Sequence, residues 1–129
     1  MSIHSFLVET PTRRIVVDTG MGNDKPRGRP EWNGRKGPFL EQLAAAGCPA
    51  DTIDTVVCTH LDVDHVGWNT VLSDGRWVPT FRKARYLMGR VAFDYWKDVR
   101  DPALATIFDD SVRPVASAGL AQCTNSLAV

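Results

Sequence analysis

Thr55-Val56-Val57-Cys58-Thr59-His60-Leu61-Asp62-Val63-Asp64-His65 is the stretch on which the reading of this chain turns. Its first half is apolar and β-branched, the pattern of a short buried strand. Its second half places four potential metal ligands within six consecutive positions. In an extended segment residues two apart point the same way, so His60, Asp62 and Asp64 are expected on one side of the strand end. His65 follows where the chain is expected to turn into a helix. Leu61 and Val63 alternate with the polar set and are expected to pack beneath it. Imidazole and carboxylate are good ligands for zinc and other divalent first-row metals. Two carboxylates held this close repel each other, and a bound cation removes that cost.

Outward from this stretch the chain alternates strands and helices. Phe6-Leu7-Val8 and Ile15-Val16-Val17, joined by Glu9-Thr10-Pro11-Thr12-Arg13, read as a β-hairpin. Asp18 to Gly37 is a long Gly- and Pro-rich loop carrying Lys25, Arg27, Arg29, Arg35 and Lys36, read as a solvated basic loop. Pro38 to Ala46 reads as a helix ended by Gly47. A strand at 55–58 after that helix implies a crossover and a parallel strand pair. Asp74-Gly75 marks a turn between Val71-Leu72 and Trp77-Val78, and Ala84–Met88 is a further strand. Val91, Tyr95 and Val99, with Ala92 and Trp96, are expected to form one helix face. Asp101-Pro102 starts another helix, Ser111 is expected to cap a short one, and residues 120–129 are expected to fray.

The bulk properties set bounds. The chain has 129 residues and is 43% hydrophobic, enough apolar material for a core. Formal net charge is +0 and the sequence pI about 6.8, so nothing points to nucleic acid. Three scattered cysteines are no disulfide framework. Met1-Ser2-Ile3-His4-Ser5 lacks the pattern of a signal peptide, and no long apolar run suggests a membrane span. A cytoplasmic location is the default expectation.

His60-Leu61-Asp62-Val63-Asp64-His65 resembles the His-x-His-x-Asp-His signature of the metallo-β-lactamase superfamily. Ile53 to Thr59 resembles the strand that leads into that signature. Val66-Gly67-Trp68-Asn69 resembles its continuation into a helix, and Val16-Val17-Asp18-Thr19-Gly20 the family's earlier Asp motif. The resemblance spans about Phe6 to Tyr95, with soluble hydrolases related to lactonases and organophosphate hydrolases as its finer placement. It implies an α/β (α+β) fold, half of an αβ/βα sandwich, with a mixed β-sheet and flanking helices in one partial domain over residues 1–129. It implies two divalent ions, zinc first. His60 and Asp62 would serve one site, Asp64 and His65 the other, and Asp18 would orient ligands from behind. The implied activity is that of a metal-dependent hydrolase. A metal-bound hydroxide would attack an ester, lactone, amide or phosphoester-type small-molecule substrate, with Asp64 as the catalytic residue. Trp68, directly after the loop, is placed at the border of a substrate pocket. Most other aromatic residues, Tyr95 and Trp96 among them, read as packing.

Two departures qualify the resemblance. Position 62 is Asp where the family more often has His, a harder donor that narrows zinc's advantage over manganese or iron. The family's later ligands have no counterpart in this chain, whose remaining histidine, His4, is read as a surface residue. The expectation is a truncated form of weak or no activity. It would have an open apolar sheet face and a tendency to associate with itself. A non-catalytic fragment or degenerate paralogue is the alternative. Val-Val-Asp-Thr-Gly also suits a small dimeric retroviral-type aspartic protease using Asp18, but such folds are nearly all β.

Overall fold

The computed structural model describes residues 5–125; His4 lies outside them. The hairpin forms as expected: β1 (Phe6–Glu9) pairs antiparallel with β2 (Arg14–Val17). Helix α1 (Phe39–Ala45) then leads to β3 (Thr55–Cys58), which lies parallel to β2. Pro38 sits at the helix cap, one position earlier than the first helical residue, and Gly47 adopts φ +86° just past the end. A hairpin of β4 (Thr70–Ser73) and β5 (Arg76–Pro79) turns at Asp74-Gly75, both at positive φ. Next, β6 (Arg85–Gly89) pairs parallel with β3. Three helices follow: α2 (Arg90–Lys97), α3 (Pro102–Ser111) and α4 (Arg113–Ser117). Asp101 caps α3 by accepting from the backbone N–H of Ala103 and Leu104.

The large sheet runs β1-β2-β3-β6 and closes with β7 (Ala121–Thr124), parallel to β6. The stretch read as fraying therefore supplies an edge strand, held by a ladder with Tyr86–Gly89 that no side-chain periodicity reveals. Four further expectations change. Ser111 ends α3 instead of capping α4, and Val112 links the two helices. Residues 67–69 form a single 3₁₀ turn, not a helix, before β4 begins. The inward stripe of α2 is Ala92, Phe93 and Trp96, while Val91 and Tyr95 face out. The parallel strands and four helices remove the all-β protease reading.

Alternation along the strands separates two faces. Val16, Val56, Cys58, Tyr86 and Met88 point into a core shared with Leu43, Ile107, Phe108, Val112 and Val115 from the helices. Each fully buried large side chain there contributes roughly 1.5–3 kcal/mol. On the other face the register aligns Phe6, Val17, Val57 and Leu87 across four strands, and these are exposed or half-buried. Among the described residues no helix is long and apolar enough to cross a membrane.

Candidate metal centre

Because β2 and β3 are parallel neighbours, their C-terminal ends emerge side by side, the usual place for a ligand site in such sheets. Asp18 follows β2 and Thr59 follows β3. Asp18 takes φ +56°, a left-handed conformation that Asp tolerates better than most residues. Its backbone N–H donates to the Val57 carbonyl at 2.8 Å. Its buried carboxylate then accepts from the Thr59 N–H at 2.8 Å and the Thr59 hydroxyl at 2.6 Å. Both oxygens are thereby oriented by the adjacent strand end.

The loop leaving β3 turns at once. The His65 N–H donates to the Asp62 carbonyl at 3.0 Å, so the segment is not extended and the expected alternation of His60, Asp62 and Asp64 does not hold. The turn folds Asp64 and His65 back toward Asp18. His65 Nδ1 lies 3.1 Å from Asp18 Oδ2 and Nε2 lies 3.4 Å from Asp64 Oδ1. The first is a close contact without hydrogen-bond alignment, and Nδ1 is buried without a hydrogen-bond partner. The His60 ring faces the His65 ring with centroids 4.9 Å apart, and Thr59 Oγ1 is 3.3 Å from His60 Nδ1. The Asp62 side chain is exposed and enters none of these side-chain contacts.

Backbone hydrogen bonds tie this turn to the loop after β2. The Thr19 N–H donates to the His65 carbonyl at 2.8 Å, Gly67 N–H to Gly20 at 2.7 Å, and Trp68 N–H to Thr19 at 2.9 Å. The two segments cross so closely that a Cβ on Gly67 would lie 1.9 Å from the Met21 carbonyl carbon. One on Gly22, at φ +78°, would lie 2.4 Å from the Gly67 oxygen. Only glycine permits this approach. Below, the Thr19 hydroxyl donates to Asn69 Oδ1 at 2.9 Å, and the Tyr86 hydroxyl donates to the Asn69 carbonyl at 2.9 Å. The Cys58 thiol, buried beside Asn69, is pushed up to about 12, chiefly by desolvation, so it stays protonated.

The donor types suit a divalent ion, and the His65 ring, with one nitrogen against Asp18 and the other against Asp64, gathers two carboxylates around an imidazole whose Nδ1 makes no hydrogen bond, a combination that a cation would complete. Among the described residues, however, no three His, Cys, Asp or Glu side chains converge as a metal-binding group. The structure thus brings together Asp18, Asp64, His65 and His60 in pairwise contacts and leaves Asp62 outside them.

Trp68 is buried and stacks on Phe39 at 5.5 Å. It lines a cleft of about 250 Å³ with Thr19, Gly20, Met21 and Pro38. A larger cleft, about 510 Å³, opens beside His60 and Asp62 and is walled by Leu61, Val91, Tyr95 and Trp96. Motif reading pointed to Trp68 and missed this α2 wall, because α2 is remote from the loop in sequence. The basic loop also departs from expectation. Lys25 is 1% exposed, donates to the Thr70 hydroxyl and carbonyl, and sits 3.7 Å from the Trp77 ring centre. Arg27 forms a bidentate pair with buried Asp110, at 2.7 and 3.0 Å. Burial lowers the Lys25 ammonium to about 7, against the opposing pull of Asp110.

Comparison with known proteins agrees with this fold. The family model of the metallo-β-lactamase superfamily matches residues 1–116, and the chain belongs to that superfamily. Among solved structures it is similar to AidC, a dizinc quorum-quenching lactonase in complex with a product (20% identity, TM-score 0.70). That match covers 95% of this chain and 42% of AidC. It is similar to the hydrolase AbOPH of the β-lactamase superfamily (22% identity, TM-score 0.68), with 95% and 42% coverage. It is also similar to a variant of AiiA from B. thuringiensis with N-decanoyl-L-homoserine at its active site. There identity is 18%, TM-score 0.61, and coverage 95% and 47%. The chain thus spans less than half the length of these proteins. No curated protein matches it.

Proposed function

We propose that this chain carries the metal-binding loop of a metal-dependent hydrolase acting on an ester, lactone, amide or phosphoester-type small molecule. The observation that carries the reading is the meeting of Asp18, Asp64 and His65 at the ends of two parallel strands, with the His60 ring facing that of His65. His60 and Asp62 would hold one divalent ion and Asp64 and His65 another. A bound divalent ion makes hydroxide available near neutral pH and polarises the electrophile. The chain's own contribution is orientation: Thr59 fixes the Asp18 carboxylate, Asp18 sets the His65 ring, and the glycine crossing holds the backbone beneath both. Asp64 stands where it can orient a nucleophile or carry a proton to a leaving group. A dizinc lactonase and other hydrolases among the structurally similar proteins support this chemistry.

Elemental analysis of the purified chain after equilibration with zinc or manganese tests the reading. At least one tightly held ion per chain is expected; no ion retained above a His60→Ala, His65→Ala double variant overturns it. In an Asp62→His variant zinc should gain on manganese, because imidazole is the softer donor. Unchanged relative occupancy would refute that assignment of position 62. The lack of a three-donor group among the described residues favours a second reading, a non-catalytic fragment. Retained metal without metal-dependent esterase turnover would select it.

A further inference from the structure

The loop after β2 carries five cations, and four of them are engaged. Lys25 is buried against Thr70 and Trp77, Arg27 pairs with Asp110, Arg29 with Glu31, and Lys36 with Asp24. Arg35 has no carboxylate partner among the described residues, and it lines the smaller cleft, of about 250 Å³, on the α1 side of the loop. The arm that bears it is fixed. The Asp24 N–H donates to the Arg35 carbonyl at 3.0 Å, and the Asn23 side chain exchanges two hydrogen bonds with the Gly37 backbone, at 3.0 and 2.8 Å.

Another wall of this cleft is backbone. Asp18, Gly20 and Gly22 take φ of +56°, +62° and +78°, while Thr19 and Met21 between them keep negative φ. Such alternation of hand curls successive N–H groups into a concavity that suits an anion. The Thr19 and Gly20 carbonyls accept from Trp68 and Gly67. Across each trans peptide the following N–H points the opposite way, so the Gly20 and Met21 N–H groups face away from that crossing. Neither has an acceptor among the described residues, although Met21 is only 6% exposed. Buried backbone donors are nearly always paired, so these two call for an acceptor from outside the chain. The Gln42 side chain and the stacked rings of Phe39 and Trp68 complete the lining, which contains no Asp or Glu.

We propose that this cleft is an anion site, which takes the carboxylate of a small, partly apolar molecule. The Arg35 guanidinium and the Gly20 and Met21 N–H groups receive the carboxylate oxygens, and Phe39 and Trp68 meet the apolar body. One cation suits a monoanion, and the planar guanidinium fork matches the two oxygens of a carboxylate. The site uses none of His60, Asp62, Asp64 or His65, so it stands apart from the hydrolase reading. In the metal-free chain Asp18 and Asp64 repel the same anion from the metal-type loop, which leaves this cleft as the favoured place for it.

The test titrates benzoate, and separately its neutral analogue benzamide, into the metal-free full chain while the backbone amide resonances are followed. Benzoate should move the Gly20 and Met21 amide protons to lower field, and benzamide should leave them in place. Arg35→Gln should weaken benzoate about tenfold. Gln42→Glu sets a like charge in the cleft and should weaken it at least as much. Both positions are exposed, so the circular dichroism spectrum should not change in either variant. Equal affinity for benzoate and benzamide overturns the site. So does benzoate binding that neither variant weakens, or benzoate that leaves the Gly20 and Met21 resonances where they were. Metal retention is measured on the same samples: a benzoate site in a chain that holds no metal leaves the anion site standing and removes the hydrolase reading, and retained metal without a benzoate response does the reverse.

Discussion

The metal-type segment has two unlike halves. From Asp64 to Asn69 it is held by the loop after β2: three backbone hydrogen bonds, a glycine-on-glycine crossing and the Thr19–Asn69 contact leave it no alternative path. From His60 to Asp62 only Leu61 is buried, and the two polar side chains on either side of it are exposed. The first half spends structure on placing His65 and Asp64 against Asp18. The second half is anchored by one leucine and leaves its donors free to meet a ligand. Catalytic and binding sites commonly combine a rigid support with exposed reacting groups, and here the border falls inside a single hexapeptide.

The contrast is most easily broken at the crossing. Gly67→Ala puts a methyl against the Met21 and Gly22 backbone, which cannot move as a side chain would. A loss above about 4 kcal/mol, or failure to fold, is expected by denaturant titration. A loss under about 1 kcal/mol would show that the anchored half is not rigid. Asp18→Ala comes next. It leaves the Thr59 N–H without its acceptor and removes the group facing His65, with an expected cost of about 2–3 kcal/mol. Asp18→Asn should fold better and still lower metal affinity by about 10–100-fold, the usual effect of a lost orienting group.

Lys25 extends the anchored side to the far end of the loop, and its contribution depends on pH. Its ammonium sits near 7 in the fold against an ordinary value of 10.5. Below pH 7 both folded and unfolded chains carry the proton and the burial penalty is fully present. Between 7 and 10.5 the unfolded chain binds more protons, so stability rises with pH. From pH 7 to 9 the expected gain is roughly 1–2 kcal/mol, and Lys25→Met should abolish it. A flat profile in the parent chain would mean that the ammonium is satisfied by Thr70 and the Trp77 ring. The smallest effects belong to the exposed half. His60→Ala and Asp62→His should each change stability by less than about 0.5 kcal/mol, although under the proposed reading both are expected to change metal binding. A loss above about 1.5 kcal/mol in either would erase the distinction between the halves.

Several elements were legible residue by residue. The hairpin, α1, β3, the Asp74-Gly75 turn and the Asp101 cap each rest on local signals: alternation, Pro and Gly placement, an Asp before a helix. The strand ending in a His- and Asp-rich loop pointed to the candidate centre, and Val-Val-Asp-Thr-Gly to Asp18, which the fold places beside His65. Where reading went astray, a distant partner decided. Strand β7 exists because β6 offers a ladder. Lys25 and Arg27 are buried because Thr70, Trp77 and Asp110 receive them. The phase of α2 is set by Phe93 against Phe108, rings 5.5 Å apart, not by its own spacing.

Composition and order along the chain therefore determined which imidazole and carboxylate groups gather at the candidate site and which strand delivers them, since these follow from short-range patterns. Only the folded arrangement decided that Asp64 and His65 turn back onto Asp18 while Asp62 does not, and that α2 walls the cleft beside His60. Such contacts join residues tens of positions apart, and their energy comes from packing and hydrogen bonds that no local window contains.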